Sequence, residues 1–405
     1  MRVIKKLTKT LLKVVSTAVG VVGLYLLFNL LAFHKPRKLD SRELDRYVAA
    51  VNDSSSDPFR FVANKFDTHS IVFLGELHRR EQDLHFFRDL IGYLYKEKHI
   101  RIIGWEFGSA IDQRDADSVV NAATFDRRKA IGILRNNMFD WCYEEYLDIF
   151  KEVWKLNREI PNDRYKIRFL QLNNPYVPRK RFSRVDSIRR QDQKSTFDSF
   201  FPSIVENEVI RKGQKILIYC GLHHSLSKFH TPKLFFLKDH GRGGQYLYEK
   251  YPGQVCQIAL LMPFPTRWAL LRGSVTRGSV YPFDGVFNQM YDSLKRPFAV
   301  GSDNPVFANI RDYNSFYEFD SWRGVKLRDF CDGVIVTASF DSIRPVHAIK
   351  DWVVDEKELR EVKDMMPESD AIQIKTINDL YRYIDTGASI NSIKMMHDLK
   401  PFYRP

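Results

Sequence analysis

Three short stretches of the chain carry residue types that do chemistry. Gly75-Glu76-Leu77-His78 follows the apolar run IVFL, Glu106 stands in RIIGWEFG, and Gly221-Leu222-His223-His224 follows KILIYC. Each apolar run reads as a buried strand, so these polar residues fall where a strand leaves its sheet. In open parallel sheets that carboxyl-terminal edge is where ligands bind. Imidazole and carboxylate together suit a divalent ion such as zinc, manganese or cobalt, and a hydrolytic centre needs about three protein ligands with one position open for water. Without metal the same groups run acid and base roles directly. The spacing predicts Glu76, His78, Glu106 and His224 as the catalytic set. His78, Glu106 and His224 are the candidate metal ligands, and Glu76 is the candidate base.

Other residues carry weaker signals. His85 follows His78 by seven positions and lies off the apolar stripe Phe87, Leu90, Ile91 and Leu94, so it is a candidate for substrate contact at a cleft rim. His223 and His224 are adjacent and must point apart, which makes His223 either a substrate contact or a structural residue. Asn174 ends a third strand, where its amide can meet a ligand or open a turn before Pro175. Cys220 sits inside an apolar strand and reads as a small packing residue rather than a nucleophile. His230, His240 and the basic run at 179–190 read as surface.

The elements that must position these groups alternate. Strands are expected at Ile71 to Leu74, Ile100 to Trp105, Lys166 to Leu172, Lys215 to Cys220, Gln254 to Leu261 and Gly333 to Thr337, with helical stretches between them. That rhythm predicts an α/β domain, a mainly parallel sheet with helices on both faces. Residues 265–330 are rich in Gly, Pro, Asp and Tyr and read as irregular. The expected division is a tether at 39–65, an α/β domain at 66–350 and a C-terminal helical extension at 351–405.

The charge is uneven. Of the net +13, eight charges lie in residues 1–38, which contain no acid, and the rest of the chain carries only +5. A nucleic-acid partner is therefore not expected. Residues 14–33 form a charge-free apolar run with basic flanks. They predict an uncleaved transmembrane helix contacting membrane lipid, with the N-terminus cytoplasmic and the folded domain outside. No cysteine precedes Cys142, so no lipid-accepting cysteine is present. Four cysteines in 405 residues exclude a disulfide scaffold.

The paired G-x-x-H motifs, with a strand-end glutamate between them in WEFG, resemble the superfamily that joins erythromycin esterases, haem-binding ChaN-like proteins and Tiki/TraB metalloproteases. LGELHRREQDLHFFRDLIGYLYKEKHIRIIGWEFGSAID is similar to the esterase pattern of a GE motif, an amphipathic helix and an E-F-G motif. GRGGQYLYEKYPGQVCQIAL and LRDFCDGVIVT resemble later esterase segments, and IRFLQLNNP is closer to the ChaN-like pattern. The likeness spans residues 66–345. It implies that His78 is the first essential histidine, Glu76 the acid beside it, Glu106 the second-strand glutamate and His224 the second-motif histidine. It further implies a hydrolase acting on an ester, amide or peptide bond of a small molecule or peptide, or else a haem- or iron-binding protein using the same histidines. The one-residue-shorter GELH leans toward the ChaN and Tiki side, and macrolide hydrolysis is not implied.

Overall fold

The computed structural model describes residues 2–31, 38–51, 57–137, 141–174, 197–230, 241–265, 279–315, 317, 324–366 and 368–399. The basic run at 179–190, His240 and Pro175 lie outside them.

The strand runs pair into one seven-stranded sheet: β1 (Ile71–Glu76), β2 (Ile102–Ser109), β3 (Arg168–Asn173), β4 (Ile216–Gly221), β5 (Val255–Leu260), β6 (Phe298–Gly301) and β7 (Gly333–Val336). Their order is β3-β2-β4-β1-β5-β7-β6, and every pairing is parallel except β7 with β6. Strand side chains alternate between the two faces. Val72, Leu74, Leu217 and Tyr219 enter a core with helices Glu81–Lys98 and Glu144–Glu159. Ile71, Phe73, Ile216, Ile218 and Cys220 face Phe201 and Val205 of helix Phe197–Glu208. Helices therefore cover both faces, as the alternation predicts. The antiparallel edge strand β6 and helix Val286–Leu294 fall in the stretch read as irregular. The four residues Phe298–Gly301 are too few to show a period. All four cysteines are buried and free, and burial pushes the Cys220 thiol well up, so it packs rather than attacks.

The membrane expectation is corrected. Residues 2–31 form one thirty-residue helix, yet no helix among the described residues is long and apolar enough to cross a membrane. Its first twelve positions hold Arg2, Lys5, Lys6, Lys9 and Lys13, and the last two residues of the apolar run, 32 and 33, lie outside the description. The single-pass topology, the localisation drawn from it and the lipid contact through residues 14–33 therefore have no support.

Candidate functional site

The site is built where β1, β2 and β4 end side by side. Glu76 pairs in register with Gly221, and Trp105 with Tyr219. The β2–β3 register shifts between Trp105 and Ser109, the interval holding Glu106. Such a bulge re-aims one side chain at a sheet edge. Asn173 on β3 donates to the Glu106 carbonyl (3.0 Å), and the Gly221 N–H donates to Glu106 Oε2 (2.7 Å). The residue is thereby fixed from both neighbouring strands, its backbone by β3 and its carboxylate by β4.

Gly221 is the hub. A Cβ there would stand 2.9 Å from Cε1 and 3.3 Å from Nε2 of His78, and 3.3 Å from Cδ2 of His224. Only a glycine lets the two imidazoles close over the same backbone. Gly75 serves the same end on β1: a Cβ would lie 2.2 Å from Ser225 Oγ, so its absence seats the short helix Leu222–Ser225, which carries His224, across the strand end.

Each imidazole is held by buried carboxylate. His78 Nδ1 is 2.6 Å from Glu76 Oε1, and Glu76 is fully buried. The ring meets Phe107 and Trp141 edge-on, at centroid distances of 5.6 and 5.1 Å. Burial pulls the His78 pKa down, but the Glu76 charge and contact outweigh it, and the net shift is upward. His224 stands between two acids, with Nε2 3.4 Å from Glu106 Oε1 and Nδ1 3.0 Å from Asp198 Oδ1. Burial again opposes the charged ring. Glu106 and then Asp198 overcome it, and His224 is pushed up to about 10. Reciprocally, His224, His78 and the Gly221 N–H outweigh the burial of Glu106 and bring it down to about 2. Near neutral pH this is an imidazolium between two carboxylates.

Asp198 has no motif in the sequence. It sits in the first turn of helix Phe197–Glu208 and also accepts from the Gly243 N–H (2.9 Å) and Arg242 (3.4 Å). The sole signal was an acid opening a helix, which capping explains equally well. A groove of about 630 Å³ between that helix and helix Gly243–Lys250 begins at Asp198 and Arg242.

The other candidates go elsewhere. His223 turns from His224 toward Tyr317 (5.6 Å between rings), where burial lowers its pKa to about 3. His85 lies 3.9 Å from Glu81 on its own helix. Asn174 offers its carbonyl to Ser109 Oγ (3.3 Å), and it is Asn173 that braces Glu106. His230 lies near Glu249 at 4.0 Å, on the surface.

The arrangement does not suit a metal ion. A metal takes a neutral imidazole lone pair, whereas both nitrogens of His224 face carboxylates, which leaves Nε2 of His78 as the one open imidazole donor of the pair. Among the described residues no set of three His, Cys, Asp or Glu side chains could hold one.

No protein-family model matches the sequence, and no curated protein matches it. Solved structures do. A Bacillus cereus protein is 11% identical over 77% of this chain and 100% of its own, with a TM-score of 0.52, which shows a shared fold. The structures similar to this chain also include an erythromycin esterase mutant in its open conformation, 12% identical over 75% of this chain and 96% of that one, with a TM-score of 0.47. ChaN of Campylobacter jejuni with cofacially bound haem is 13% identical over 50% and 85%, with a TM-score of 0.32. Two of the groups named from the sequence motifs, erythromycin esterase and ChaN, thus occur among these structures.

Proposed function

We propose that the chain is a hydrolase that cleaves an ester or amide bond of a small molecule at the carboxyl edge of its sheet, by acid–base chemistry without a resident metal. The observation that supports this reading is the convergence of two carboxylate-held imidazoles over Gly221. Glu76 is fully buried and cannot touch substrate, so it orients His78 rather than acting as the base itself. His78, about a third exposed, presents Nε2 to activate water. His224, kept protonated by Glu106 and Asp198, places fixed positive charge beside the oxyanion that forms when water adds to the carbonyl. The bond cleaved then releases its leaving group with the proton that His78 took from the water. The likeness to an erythromycin esterase accords with this class of reaction.

A panel of small esters, amides and peptides tests the purified full chain. Hydrolysis of at least one substrate is expected, falling about 10²- to 10³-fold in His78→Ala and His224→Ala and surviving a chelator. Rates unchanged by both substitutions would sink the reading. So would a haemin-induced Soret band that depends on His78 in a chain without hydrolytic activity.

A further inference from the structure

A third imidazole held by a buried carboxylate lies outside the sheet edge. Residues 345–349 run extended and are pinned along their length. Pro345 bridges Arg80 and Ala348 bridges Tyr143, while the Glu144 N–H donates to His347 O (2.8 Å) and the Ile349 N–H to Cys142 O (2.9 Å). Between these pins Glu145, only 4% exposed, takes both the His347 backbone N–H (2.9 Å) and its Nδ1 (2.5 Å). Glu145 stands in the first turn of helix Glu144–Glu159, where the helix dipole favours a carboxylate. The ring is therefore locked through Nδ1 and presents Nε2 outward on a side chain that is 67% exposed.

Beside it lies a cavity of about 510 Å³, a size usual for small-molecule sites. One wall is the segment 345–350, bearing His347 and Lys350. The other is formed by Tyr381, Asp385 and Ala388, spaced so that they share one face of helix Ile377–Leu399. The Tyr381 hydroxyl is occupied by the Lys350 and Val353 carbonyls, which fixes its ring as part of the wall. Pro345, Val346 and Ala348 complete an apolar lining. Neither the mechanism above nor the sequence motifs use any of these groups.

We propose that this cavity binds a small organic monocarboxylate, its headgroup between His347 Nε2 and the Lys350 ammonium and its short aliphatic body against Val346, Tyr381 and Ala388. A carboxylate that meets two N–H donors and a charge is recognised by charge-assisted hydrogen bonds. Asp385 on the facing wall selects against a second negative charge on the ligand. The contact with Glu145 raises the His347 pKa and so favours the doubly protonated ring that donates from Nε2.

Calorimetric titration of the full chain with hexanoate at about pH 6.5 tests this. Saturable binding of one hexanoate per chain is expected, about tenfold weaker in Lys350→Met and in His347→Ala, and about 10²-fold weaker for acetate, which lacks four methylene groups. Both substituted side chains are exposed, and because His347→Ala also takes the imidazole from the buried Glu145 carboxylate, circular dichroism checks its fold, while Lys350→Met removes only an exposed ammonium. Glu106→Gln, at the other site, leaves hexanoate affinity unchanged. No saturable binding, binding unaffected by both cavity substitutions, or inorganic phosphate or succinate binding as tightly as hexanoate would overturn the assignment. So would loss of binding in a Glu106→Gln chain that circular dichroism shows to be folded, since the ligand would then sit at the sheet edge.

Discussion

At the scale of single residues, the charge state of His224 ties stability to pH. Its pKa of about 10 in the fold lies above the ordinary histidine value of about 6.5. The stabilisation is therefore complete below about pH 6.5 and is lost as pH rises toward 10. Glu106, at about 2, runs the other way: its contribution is complete above about pH 4.5 and is lost as pH falls toward 2. Both act in full between those limits. Glu106→Gln leaves the imidazolium facing one acid, and we expect a loss of about 3 kcal/mol near pH 6 that shrinks in alkali. Urea denaturation of both proteins at the two pH values checks this, and an equal loss at both would remove the ion pair from the account. Gly221→Ala acts on geometry instead. The added methyl reaches His78 at 2.9 Å, so the His78 ring resonances should shift and hydrolysis should fall about tenfold or more, while the cost in stability stays within about 1–3 kcal/mol. Imidazole NMR alongside the denaturation curve separates these effects.

At the scale of elements, the sheet edge works because close contacts replace ordinary side chains. Gly75 lets helix Leu222–Ser225 rest on β1, and the irregularity in β2 turns Glu106 toward Gly221. Gly75→Ala drives a methyl into Ser225 Oγ, and we expect about 2 kcal/mol of destabilisation. Adding Ser225→Ala should recover only part of it, because Leu222 still stands 3.0 Å from the new methyl. Thermal melts of the single and double variants measure the recovery, and full recovery would mean that Leu222 moves aside. Much of this layer was legible. The strand ends and the histidine doublet show in local alternation, since side chains two apart share a face. The bulge was not, because it is a mismatch between two strands sixty residues apart. Nor was the choice of Asn173 over Asn174, which one residue of register decides.

At the scale of the whole molecule, the C-terminal stretch is part of the main core. Trp352 is fully buried, and Val353, Leu359, Val362, Leu380 and Ile384 pack into the same cluster as the β1 and β4 side chains. Arg127 ties that stretch to the body through Glu144 (2.7 Å) and Asp351 (2.6 Å). A chain ending at residue 350 should therefore not fold cooperatively, since deleting even one buried tryptophan side chain costs about 3–5 kcal/mol. Circular dichroism on heating reads the outcome, and a sharp transition near that of the full chain would show an independent body. The uneven charge takes on a narrower meaning at this scale. Its concentration in residues 1–38 distinguishes a basic N-terminal helix from a nearly balanced body, and it does not by itself make that helix a membrane span.

The sequence alone determined the alternation of strands and helices, the burial of Cys220 within an apolar run, and the set of strand ends rich in Glu and His. These follow from periodicities of two and 3.6 residues that are local properties of the chain. The tertiary structure alone decided that β4 lies between β2 and β1 and that Asp198 reaches His224 from another helix. Strand order and register are set by which hydrophobic faces bury together across the fold, and the site exists only where those long-range choices bring separate strand ends over one glycine.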